Sequence, residues 1–232
     1  MPLAPETLRS IRKRMVQIVL FTAVWGVLLF ASAGRPDYIR GWICLGLFVF
    51  FAAVSAILVL RYNPEVAAAR SKLHSDAKGF DKVFAVVYTL LQLALPVVAG
   101  LDAVRYGWSS MSFEAVYPGA LLYLLAAAPV TWAMVSNPFL ETMVRIQEER
   151  GHRVVTTGPY CYVRHPMYVG IILQMVATPL VLGSWWSFVP AAVIAILFVW
   201  RTAKEDGTLR NELSGYEEYA QQTRYRLLPG IW

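Results

Sequence analysis

Four long uncharged runs constrain this chain more than any other feature. Met15–Ala33, Gly41–Leu60, Val83–Leu101 and Ala115–Leu140 contain no Lys, Arg, Asp or Glu. Each approaches or exceeds the roughly 20 residues that an α-helix needs to cross a hydrocarbon core. Only 16% of the residues are charged and 57% are hydrophobic, whereas a soluble domain carries about 25% charge. The expected fold class is all-α: a polytopic integral membrane protein.

A fifth run, Pro166–Trp200, is also uncharged. As one straight helix it would be roughly 50 Å long, too long for a core near 30 Å. Pro179 and Gly183-Ser184 offer break points, so the run is predicted to be a helical hairpin of two short spans, making about six transmembrane helices. The basic residues follow this count. Of the 21 Lys and Arg, all but Arg35, Arg40 and Arg105 fall on one side of the predicted membrane. The positive-inside rule then puts both termini in the cytoplasm, in the inner or plasma membrane if the source is bacterial. The net charge of +6 is what loops facing anionic lipid require; no basic module with interleaved aromatics points to nucleic acid. Met1–Arg14 leads into a full-length span and reads as a membrane anchor rather than a cleavable signal. Cys44 and Cys161 fall in different compartments and do not form a metal-type pair.

The chain divides into an N-terminal transmembrane scaffold, 1–135, and a catalytic region, 136–232, that includes the hairpin 166–200 and a cytosolic tail. In the scaffold, Glu65–Leu73 is expected to form a short helix on the membrane and Asp102–Glu114 a polar outer loop. In the second region, Leu140–Arg150 has the periodicity of an amphipathic helix, ended by Gly151.

Three clusters carry polar chemistry. The first is Arg164-His165-Pro166-Met167-Tyr168-Val169-Gly170. Pro166 suits the first turn of a helix, which puts His165 at the positive end, where free amides bind carboxylate or phosphate. Arg164 adds a forked donor. The second is Arg201, Glu205 and Asp206, just beyond the last span. Its acids can accept ribose hydroxyls or an amine, although alone Arg201 and Glu205 read more simply as an i,i+4 ion pair. The third is Tyr216, Tyr219 and Tyr225 with Arg224 and Arg226, which either cover an adenine or dock the tail on the membrane. His74 and His152 have no ligand-type spacing to His165, and no metal site is expected.

Val154 to Tyr160, Tyr162 to Tyr168 and Gly170, with Glu205-Asp206, Tyr216, Tyr219 and Tyr225 to Pro229, resemble the signature of the isoprenylcysteine carboxyl methyltransferase family, over about Asn137–Trp232. Phospholipid N-methyltransferases share the Arg-His-Pro and acidic-pair theme. The resemblance implies S-adenosylmethionine as cofactor, bound at the cytosolic ends of the last spans by Tyr160, His165, Pro166, Tyr168, Gly170, Glu205, Asp206, Tyr216 and Tyr219. Arg164, His165, Arg201 and Glu205 are the expected catalytic residues. Asp206 departs from the family, which has Glu there, and its shorter arm reaches differently.

Methyl transfer from a sulfonium is an in-line displacement, for which the protein aligns the partners and excludes water. A carboxylate acceptor needs no general base, and an ammonium must first lose a proton. The scarcity of base candidates favours methyl esterification of a lipidic or prenylated acceptor entering from the bilayer. Phospholipid amine N-methylation is the alternative. An NADPH-dependent membrane reductase is a reading of another class, disfavoured because no extra basic cluster lies near Glu205. A non-catalytic membrane protein or transporter is disfavoured because no charge lies at mid-membrane.

Overall fold

Each apolar run becomes a helix, because the backbone has no other way to satisfy its amides in lipid. The computed structural model describes residues 4–71 and 77–232, and among these all regular structure is helical. Helix α1 (Pro5–Ala33) is followed by α2 (Ile39–Tyr62), the short α3 (Pro64–Ala69), α4 (Gly79–Gly100) and α5 (Val116–Ser136). Then come α6 (Pro166–Leu182), α7 (Phe188–Glu212) and the short α8 (Tyr216–Gln222). Among the described residues four helical stretches are long and apolar enough to cross a membrane, and Pro166–Leu182 is a shorter apolar helix. Their outward faces carry exposed apolar residues such as Val19, Phe50, Leu90, Leu121 and Ile196, as lipid contact requires.

The fifth run folds as a hairpin broken at Gly183–Ser187, which contains one of the two expected break points, while the other, Pro179, stays inside α6. The turn explains the difference. Gly183 adopts a φ of 72°, and the amides of Gly183 and Ser184 both donate to the Pro179 carbonyl, a glycine-ended helix stop. Asp102 secures the turn from α4 by accepting from the hydroxyls of Ser184 at 2.6 Å and Ser109 at 2.7 Å. The expected outer loop therefore begins late: α4 runs on through a π-helical stretch, Leu101–Tyr106, and Asp102 is fully buried.

The closest helix packing is between α5 and α6. Gly170 makes it possible, since a Cβ there would stand 2.5 Å from the Ala126 carbonyl oxygen of α5. Small residues at such crossings replace the hydrophobic driving force that lipid removes.

Leu140–Arg150 is not an amphipathic helix; only Glu148–Arg150 forms a 3-10 turn. The backbone groups of this segment are bonded to distant parts of the chain. The Val144 amide donates to Asp81 Oδ2 at 2.7 Å, and its carbonyl accepts from the Lys78 amide at 3.1 Å. The carbonyls of Glu141 and Thr142 accept from Arg70 and Arg201. The apolar periodicity misled because Arg145 and Gln147 are buried as well as Val144. The expected short helix Glu65–Leu73 is seen as α3; its expected end at Leu73, like Lys72 and His74, lies outside the described residues.

Candidate active site

The start of α6, the far end of α7, α8 and the tail meet at one end of the helices. Pro166 takes the first helical position of α6 and leaves His165 as the residue before it. The tail then clamps that junction. The amides of Arg164 and His165 donate to the carbonyls of Tyr225 and Arg226, both at 3.0 Å. Arg164 Nη1 donates to the carbonyls of Thr223 at 2.7 Å and Arg224 at 2.8 Å.

Asp206 is the hub of this assembly. It is fully buried and receives Arg164 Nε at 2.7 Å, Arg226 Nε at 2.9 Å, Tyr216 Oη at 2.9 Å and Arg210 Nε at 3.3 Å. Burial pushes its carboxyl up, but the nearby His165 imidazole and the donors Arg164 and Arg226 outweigh burial and hold it far below the ordinary carboxylate range. Burial first, and then the Asp206 charge, push the Tyr216 phenol up.

Beside the hub lies a pocket of about 530 Å³ lined by Tyr160, Arg164, His165, Pro166, Tyr168, Glu205, Tyr216 and Tyr219. These expected site residues come together. Three others do not line it. Asp206 is sealed behind Arg164, and Gly170 faces α5. Arg201 is buried between the rings of Phe84 and Tyr168, and its ion pair is made with Asp81, Nε to Oδ1 at 2.7 Å, instead of the expected partner Glu205. The phenols of Tyr216 and Tyr219 are buried, the latter donating to the Tyr160 carbonyl at 2.8 Å. They form a wall of the pocket.

Two groups on the pocket keep hydrogen-bonding capacity. His165 Nε2 is buried without a hydrogen-bond partner and stands 3.6 Å from Asp206 Oδ1. Glu205 Oε2 accepts from Tyr168 Oη at 2.5 Å, and a carboxylate has further lone pairs to offer. A buried donor or acceptor left unpaired is unfavourable by about 1–3 kcal/mol, so its presence here points to a ligand. An aromatic-walled pocket with a carboxylate, an imidazole and a helix N-terminus suits a nucleoside bearing hydroxyls and a charged chain.

Asn137, Leu140, His152 and Val154 also line the pocket, and the motif did not single out their roles. His152 packs against Phe139 with ring centroids 4.8 Å apart and the rings tilted by 34°, and burial lowers its pKa. Asn137 Nδ2 donates to Tyr160 Oη at 3.1 Å. The signal available beforehand was the Asn137-Pro138-Phe139 turn, because the residue before a proline avoids the helical region.

Residues 120–211 match the isoprenylcysteine carboxyl methyltransferase (ICMT) family. The match begins within α5, earlier than the motif indicated, and ends before Tyr216. Protein-S-isoprenylcysteine O-methyltransferase of Saccharomyces cerevisiae is 24% identical over 195 residues, which cover 81% of this chain and 77% of that protein. The solved structure of the eukaryotic intramembrane Ras methyltransferase ICMT aligns with 99% of this chain and 98% of its own at 17% identity, with a TM-score of 0.48. The resemblance drawn from Arg164–Gly170 and the acidic pair holds within the matched residues 120–211, and the chain is an integral membrane methyltransferase.

Proposed function

We propose that this enzyme uses S-adenosylmethionine to esterify the carboxylate of a prenylated cysteine, or of a lipidic acceptor built like one. The observation that carries the reading is a shared wall. Met167 borders both the polar pocket and an apolar cavity among α1, α2, α5 and α6, so a water-soluble donor and a lipid meet across one side chain. The name of the yeast relative supports the prenylcysteine acceptor.

When bound, S-adenosylmethionine supplies a methyl group on a sulfonium, which passes to the acceptor oxygen while the electrons of the carbon–sulfur bond return to sulfur. Glu205 takes the ribose hydroxyls or the ammonium, His165 Nε2 supplies a further hydrogen bond, and Tyr160 and Tyr219 wall the pocket. Arg164, Asp206, Tyr216 and Arg201 act as positioning residues. Once the pocket is filled, its aromatic walls keep water from the reacting charges, which attract more strongly in a low dielectric.

The same reading gives about six spans, with α6 and α7 as a short hairpin, both termini in the cytoplasm and the pocket on the cytosolic side. The 17-residue α6, about 26 Å long, and the basic residues at the pocket's end of the bundle support it. Region 136–232 then carries the cofactor chemistry, and 1–135 holds the acceptor.

The test is transfer of labelled methyl from S-adenosylmethionine to N-acetyl-S-farnesylcysteine by the purified enzyme. A volatile label released by mild alkali marks an ester and is the expected product. Alkali-stable label on a phospholipid amine, with none on the thioether acid, contradicts the reading.

A further inference from the structure

The apolar cavity, of about 990 Å³, adjoins a second one of about 690 Å³, and the two share the walls Phe48, Tyr88, Ile171 and Gln174. Residues spaced along single helix faces line both, from Arg14 to Trp25 on α1 and from Met167 to Thr178 on α6. Each stretch rises about 16 Å at 1.5 Å per residue. At about 1.3 Å per carbon, from a bond near 1.5 Å, that length holds a chain of about a dozen carbons.

Two arginines, Arg14 and Arg70, line the cavity end nearest the site, and no acidic side chain does. Arg70 Nη1 donates to the Glu141 carbonyl at 3.1 Å and lies 3.8 Å from Met167 Sδ, both neutral partners. Among the described residues neither arginine has a carboxylate partner. Burial, and then the nearby charge of Arg14, lower the Arg70 pKa to about 10. Two partly buried cations facing one cavity without a counter-charge repel each other, and an anion placed between them relieves both. A guanidinium fork matches a carboxylate.

We propose that Arg70, assisted by Arg14, binds the acceptor carboxylate, and that the two adjoining cavities hold the acceptor chain. The assignment rests on the reading of the chain as a carboxyl methyltransferase. It places the anion beside Met167, the wall shared with the cofactor pocket, where the oxygen must lie to reach a methyl group. It also gives product release a cause: ester formation removes the charge that holds the acceptor to Arg70.

The test compares binding of N-acetyl-S-farnesylcysteine and its methyl ester to the detergent-purified full chain by calorimetry, alongside S-adenosylmethionine. The wild type is expected to prefer the acid by about tenfold or more. Arg70→Gln should abolish the preference by weakening the acid alone, and Arg14→Gln should reduce it. S-adenosylmethionine affinity in each variant reports that the protein is folded. Should Arg70→Gln fail that control, Arg70→Lys replaces it and is expected to keep only part of the preference. An acid preference that survives loss of the Arg70 fork overturns the proposal, as does a wild type that binds acid and ester alike. A folded wild type that binds no S-adenosylmethionine overturns the proposed function instead.

Discussion

Glu205 and Asp206 are neighbours on α7, yet the regions they serve have opposite characters. Asp206 belongs to a closed polar hub that ties α6, α7, α8 and the tail together, with Arg164, Arg226, Arg210 and Tyr216 on its oxygens. Glu205 belongs to an open pocket and receives Tyr168. A carboxylate enclosed by arginines has little left to give a ligand, whereas one facing a cavity has lone pairs to spare. Density of charge therefore marks where a site is held in shape, and unspent capacity marks where a ligand goes.

The sharpest way to break this contrast is Asp206→Ala. It leaves buried Arg164 and Tyr216 without their acceptor, and removal of one partner from a buried ion pair destabilises by about 3–5 kcal/mol. A correspondingly lower unfolding midpoint in detergent is expected, with a smaller drop for Asp206→Asn. Glu205→Gln should do the reverse. Unfolding should shift by no more than about 0.5 kcal/mol, while S-adenosylmethionine affinity falls by about 10- to 100-fold, the loss of one or two charge-assisted hydrogen bonds. Equal effects of the two substitutions on both measurements would erase the distinction.

Gly170→Ala tests a residue that belongs to neither group. Its new methyl meets the Ala126 carbonyl, and overpacking of this kind destabilises by about 1–2 kcal/mol. The loss should appear in the unfolding midpoint, with cofactor affinity in the folded fraction unchanged. The smallest effect concerns acid. Asp206 has a depressed carboxyl in the folded chain, so its stabilisation is complete above the unfolded value near 4 and is lost as pH falls below it. Asp206→Asn should flatten this acid limb of the stability profile and leave the neutral region parallel to wild type.

Much of this organisation was legible in the sequence, for identifiable reasons. Charge-free runs above a length threshold have one stable outcome in lipid, so the helices α1, α2, α4 and α5 followed directly. The hairpin followed from length, and its turn fell at Gly183-Ser184, one of the two expected break points, because a glycine with positive φ ends the helix there while Pro179 stays inside α6. The motif marked the pocket walls Tyr160, His165 and Tyr168 through local spacing. Partners far apart in sequence were not legible. The pairing of Arg201 with Asp81 links residues 120 positions apart, and periodicity near Leu140 carries no record that its backbone bonds to Asp81 and Arg70. Arg70 itself looked like one more basic loop residue until the cavity beside it could be seen.

The most direct test of the account is calorimetric titration of detergent-purified wild type with S-adenosylmethionine and, separately, with NADPH, repeated for His165→Gln. The account predicts saturable S-adenosylmethionine binding, weakened by His165→Gln, and no NADPH binding. Binding of NADPH with none of S-adenosylmethionine by the folded protein would contradict it.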